Sequence, residues 1–64
     1  MGTYRVYALD ARNHIEDLAI IEHQSDAEAL HGAREVARQR KWRRAEVWQT
    51  SRLIGRVQDR GDAH

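Results

Sequence analysis

Seven residues, Arg38-Gln39-Arg40-Lys41-Trp42-Arg43-Arg44, set five cations around one indole ring. Cations at that density neutralise phosphates, and an exposed ring beside them can stack on a base. Arg38, Arg40, Lys41, Trp42, Arg43 and Arg44 are therefore a candidate nucleic-acid contact. Three features weigh against it. The net charge is only +1, the pI of about 8.3 is below the roughly 9 expected of such a domain, and no helix-turn-helix or RNA-recognition aromatic pattern accompanies the stretch. A helix ending here would also draw cations to its C-terminal carbonyls for electrostatic reasons alone, and Trp42 is suited to closing the end of a core.

The other candidates for chemistry are thinner. His14, His23 and His31 match no helical i, i+4 pair and no zinc signature, and the chain has no cysteine, so no metal is expected. Asp10, Glu16 and Asp17, or Glu22 with His23, could be drawn as a general acid and base. Such pairs mean little without a pocket, and a chain this short rarely encloses one. No catalytic residue and no cofactor is expected, and the chain does not read as an enzyme. Arg60-Gly61-Asp62 spells an adhesion tripeptide, which we read as coincidence in an expected tail.

Sixty-four residues make one domain. A domain of this size buries only roughly 60% of the surface its unfolded chain exposes, and small scaffolds usually need a staple. With no disulfide and no metal expected, oligomerisation is the remaining staple, and a homodimer its simplest form; another protein partner is also open. No apolar run approaches the ~18 residues of a membrane span, so no membrane partner is expected. Met1-Gly2-Thr3-Tyr4-Arg5 runs straight into a strand-like pattern without an apolar leader, and Val6 stands where a myristoylation signal wants Ser or Thr. The cysteine-free composition fits a reducing compartment, with the cytoplasm as the expected location. Charge is unevenly spread: residues 1–32 hold two basic and six acidic residues (−4), residues 33–64 nine and four (+5). The asymmetry suits an acidic partner, or attraction between the two halves within a chain or across a dimer.

The elements that would position these residues follow a ββαββ order. Thr3 to Leu9 alternates as a strand, with Tyr4, Val6 and Ala8 on one face and Arg5, Tyr7 and Leu9 on the other. Asp10 to His14 supplies turn chemistry, and Ile15 to His23 returns as a second strand. Ser25-Asp26-Ala27-Glu28 has the form of a capping box. It opens a helix to about Lys41 whose apolar stripe is Ala29, Leu30, Ala33, Val36 and Ala37. Gly32 is expected at a close contact or on the solvent side. Ala45 to Gln49 and Arg52 to Val57 form a last hairpin about Thr50-Ser51; a two-residue turn would set Trp48 opposite Leu53 and Val47 opposite Ile54. A right-handed crossover through the helix gives sheet order 2-1-3-4, all antiparallel. The fold class is thus α+β: a two-layer ββαββ domain over residues 1–57, a four-stranded antiparallel sheet with one amphipathic helix on one face, and a flexible tail over 58–64.

One helix covers one face, and the other should then alternate cleanly into polar residues. It does not. Leu18 and Ile20 oppose Ala19 and Ile21, and Val47 and Ile54 oppose Trp48, Leu53 and Val57, so large apolar side chains remain outside on either choice. An apolar patch of that kind marks a contact surface, expected to use Tyr7, Leu9, Leu18, Ile20 and Trp48. The plainer reading is that the stems of Arg5, Arg52 and Arg56 cover Tyr7 and Trp48.

Three short motifs carry a resemblance: Tyr4-Arg5-Val6-Tyr7-Ala8-Leu9-Asp10, Ser25-Asp26-Ala27-Glu28-Ala29, and Glu46-Val47-Trp48 with Arg52-Leu53-Ile54. Over most of residues 3–57 the chain resembles a group of very small, uncharacterised proteins common in rhizobia and related alphaproteobacteria. The resemblance implies a free-standing bacterial protein and transfers no activity and no catalytic residue. Self-association through the outer sheet face is therefore the expected function, with nucleic-acid binding through Arg38 to Arg44 as the alternative.

Overall fold

The computed structural model describes residues 2–58. Strands β1 (Gly2–Leu9) and β2 (Ile15–His23) form the first hairpin, helix α1 (Asp26–Arg40) follows, and β3 (Arg44–Gln49) and β4 (Arg52–Gln58) form the second. The sheet order is β2-β1-β3-β4, antiparallel throughout, as the crossover argument requires. Gln58 belongs to β4, where it pairs with Arg44, and not to a tail. Residues 59–64, including Arg60-Gly61-Asp62, lie outside the described residues.

Local chemistry accounts for the helix ends. Ser25 stays extended, and its hydroxyl accepts the N–H of Glu28 at 3.2 Å, one of the four donors a helix N-terminus leaves open. The helix stops one residue short of Lys41. Lys41 turns left-handed (φ 61°), its N–H reaches the carbonyl of Arg38, and the N–H of Trp42 reaches that of Ala37 at 2.8 Å. That is the bond pattern usually built on glycine, here with lysine in the strained position and with Trp42 buried against the final turn.

The helix sits close to the sheet because its contact positions are small. Ala29, Ala33 and Ala37 are buried over Val6, Ala8, Ala45 and Val47. Tyr4 and Trp42 are also buried, and Leu30, Val36, Ile21 and Ile54 pack around the margin. Gly32 is at a close contact: a Cβ there would collide with the His23 imidazole. Gly55 leaves room in the same way for Leu30, whose Cδ2 would lie 2.8 Å from an added Cβ.

The second hairpin departs from simple alternation. Trp48 pairs with Leu53 as expected, but Val47 pairs with Gly55, not Ile54, because a bulge at Ile54 adds one residue to β4. Side chains alternate with period two, so one extra residue swaps the faces of everything beyond it. Val57 therefore pairs with Ala45 and enters the core, where a regular register would have left it outside with Trp48 and Leu53. The turn forces Thr50 to φ 55°, a conformation that a β-branched residue seldom adopts.

Candidate functional site

Register and burial together define the face away from the helix. Three rows cross all four strands. The first is Ile20, Arg5, Trp48 and Leu53; the second Leu18, Tyr7, Glu46 and Arg56; the third Ile15, Leu9, Arg44 and Gln58. Among the described residues, the four exposed large apolar side chains, Ile15 (60%), Leu18 (42%), Ile20 (62%) and Leu53 (39%), all belong to these rows. They flank the half-buried Tyr7, Leu9 and Trp48 at the centre. Tyr7, Leu9, Leu18, Ile20 and Trp48, the candidate contact residues, are thus brought onto one surface. The choice between the two sides of β2 is decided by pairing: Ala19 opposite Val6 and Ile21 opposite Tyr4 face the helix, and Leu18 and Ile20 do not.

At the centre of this face the polar groups are ordered. Glu46 accepts the Trp48 indole N–H at 3.1 Å and the Arg56 Nε–H at 3.3 Å. One carboxylate thereby holds the ring and the guanidinium on either side of it. Arg52 does not cover Trp48: its guanidinium turns to the helix side and binds Asp26 (3.2 Å) and Gln49 (2.6 Å). Of the three arginine stems proposed to screen the aromatics, only Arg5 and Arg56 lie on their face. Sequence reasoning missed Ile15 and Leu53 as members of the patch. Leu53 follows once its pairing with Trp48 is accepted; Ile15 reaches this face only through a bulge at Glu16, which no local signal announces.

The basic stretch is dispersed. Trp42 is buried with 7% of its surface exposed, and the Arg40 guanidinium covers the ring at 5.4 Å from its centroid. The ring is thus closed to base stacking, which corrects the reading of Trp42 as a nucleic-acid contact. Arg38 pairs with Glu35 at 3.0 Å, and Arg44 donates to Asn13 at 2.5 Å, pinning the β1–β2 loop. Lys41 and Arg43 extend into solvent. A groove of about 550 Å³ runs along this end of the sheet between Leu9, Ile15, Arg44, Glu46, Arg56 and Gln58. It continues the outer face and carries charge of both signs.

Two carboxylates are tuned by their neighbours, and both serve structure. Asp26, in the first turn of α1, accepts from Arg52 and from the Tyr4 hydroxyl at 2.8 Å. Arg52 first, and then Tyr4, holds its carboxyl below the usual aspartate range, while the same bond to Asp26 raises the Tyr4 phenol above its ordinary value. The network ties β1, α1 and β4 together at one end. It escaped sequence reasoning because Tyr4 and Asp26 are 22 residues apart. Asp10 accepts the N–H groups of His14 and Arg12, each at 2.8 Å, and the His14 bond above all keeps its carboxyl acidic. No family model matches the chain, and no curated protein or solved structure matches it either.

Proposed function

We propose that the protein is a small, non-catalytic interaction module of the bacterial cytoplasm that self-associates through the outer face of its sheet. One observation carries the reading: among the described residues, the four most exposed large apolar side chains lie on a single face, around an aromatic pair, with no second layer there to cover them. A second copy is the favoured occupant because the chain's charge is split, −4 against +5 between its halves. A second copy therefore offers each half its complement. Four strands about 4.8 Å apart and about seven residues long present roughly 450 Å² in projection. That is modest beside the ~800 Å² per partner of a standard interface, so the expected dimer is of micromolar affinity.

Sedimentation equilibrium and light scattering test this directly. The expected mass approaches twice 7.5 kDa as concentration rises, with an unfolding midpoint that climbs alongside it. A monomer at ~100 μM whose midpoint ignores concentration ends the proposal. The runner-up, nucleic-acid binding through Arg38 to Arg44, has lost its stacking ring and reduces to charge alone. Failure to shift DNA or RNA at low salt would dispose of it.

A further inference from the structure

Resting on that self-association, we infer the arrangement of the pair: two sheets packed face to face about a two-fold axis parallel to the strands, along the seam between β1 and β3. Each β1 then lies over its partner's β3, and each β2 over its partner's β4. Each possible axis would bring different residues together. Packed sheets keep their strands within roughly 30° of alignment, about 10 Å apart, so two in-plane axes need comparison: along the strands, or across them.

The axis along the strands exchanges left and right within each row. Ile20 then meets Leu53, Arg5 meets Trp48, Tyr7 meets Glu46, and Leu18 meets the Arg56 stem, each contact occurring twice. Apolar residues face apolar residues, a guanidinium lies over an indole whose N–H is already turned toward Glu46, and a phenol lies over a carboxylate. In the third row Leu9 meets the Arg44 stem and Ile15 meets Gln58, so no charge faces its like in any of the three rows. The axis across the strands leaves each strand over its own copy. In the central row Glu46 would meet Glu46 and Arg56 would meet Arg56. Juxtaposed like charges oppose an interface strongly, whereas the first axis contains none in these rows. Joining two β2 edges side by side repeats the acid-on-acid problem. Because the favoured axis preserves direction along the strands, it also sets both Arg38–Arg44 stretches at the same end of the assembly.

The cysteine-free chain suits a cross-linking test. Ile20→Cys and Leu53→Cys are made as separate proteins, mixed in equal amounts above the association midpoint, and treated with a bis-maleimide short enough to bridge only facing positions ~10 Å apart. Leu18→Cys is treated alone. Sedimentation first confirms that each variant still associates; if one does not, the third-row pair Ile15→Cys with Gln58→Cys, also brought together by this axis, takes its place. The expected result is a covalent heterodimer from the Ile20–Leu53 mixture and none from Leu18→Cys alone. Linkage of Leu18→Cys to itself, with the mixture unlinked, overturns the arrangement in favour of the crossed axis while leaving self-association standing. A dimer in which neither links overturns the arrangement as well. A wild-type monomer removes the self-association on which the inference rests. Arg5→Ala supplies a second readout: the dissociation constant is expected to rise roughly two- to fivefold with the monomer's fold intact, and no change in affinity counts against Arg5 over Trp48.

Discussion

The two faces of the sheet use the same four strands yet differ in the size of the side chains at their centres. Under the helix, among the described residues, the largest side chains buried completely are Val6 and Val47, alanine fills much of the rest, and Tyr4 and Trp42 are buried with them. Outside stand Tyr7, Trp48, Leu9, Leu18, Ile20 and Leu53. The helix explains the inner face: with Ala29, Ala33 and Ala37 at the contact, its backbone approaches so closely that small residues fill the layer. The outer face has no such limit, and its side chains have the bulk to meet another layer across the ~10 Å spacing of packed sheets. Small side chains fill the centre of the inner layer, Tyr4 and Trp42 close it, and a further set of large apolar side chains is left outside.

One substitution on each face should have the largest and most different effects. Val47→Asp places a carboxylate where no water reaches, a cost of several kcal/mol against the ~3–5 kcal/mol that a core of this size supplies. The variant is expected to be unfolded by circular dichroism at 25 °C. Ile20→Asp changes a residue 62% exposed; its monomer should keep native dichroism while dimerisation weakens at least tenfold by sedimentation. If Ile20→Asp also unfolds the chain at dilutions where the wild type is monomeric, the outer face belongs to the core and the contrast fails.

A smaller effect concerns the network that closes the inner layer. Asp26 is held below its ordinary range by Arg52 and Tyr4, so its ionised form favours the folded state. That contribution is complete above the unfolded value of about 3.9 and is lost as pH falls through the lower folded value. Tyr4 is raised by Asp26, so its contribution is complete below about 10 and fades as pH rises beyond that. Tyr4→Phe should therefore lower the thermal midpoint at pH 7 and flatten both limbs of the stability–pH curve. An unchanged acid limb would show that Asp26 is not coupled to Tyr4 in solution.

The smallest effects test strain at the two element ends where glycine would be expected. Thr50→Gly relieves a β-branched residue at φ 55° and should stabilise by about 1 kcal/mol, or roughly 4–8 °C in a domain of this size. Lys41→Gly, at φ 61°, should give about half as much, since the unfolded chain gains freedom in exchange. Neither should move the dimer constant, as both residues lie off the outer rows; a shift would enlarge the interface beyond the sheet.

Much of the fold was legible because its signals are local. Strand alternation, the Ser25 cap, the alanine stripe and a crossover with one favoured hand lead to order 2-1-3-4 without any long-range information. The side of each strand depended on register, and there local reading failed where a bulge intervened: Val57 moved inward and Ile15 outward by one-residue shifts at Ile54 and Glu16. The basic stretch misled for a related reason. Composition sets five cations beside Trp42, but only the packed structure shows the ring buried beneath Arg40, with Arg38 and Arg44 already engaged.

By itself, then, the sequence determined the elements, their order and the excess of apolar surface, because propensity, capping and periodicity act over a few residues. The tertiary structure alone decided which side chains share the uncovered face, since that depends on pairing between strands distant in the chain and on two bulges that reset the alternation. It also decided that Tyr4, Asp26 and Arg52 form one network. Proximity across 22 and 26 residues arises from folding and leaves no mark in local composition.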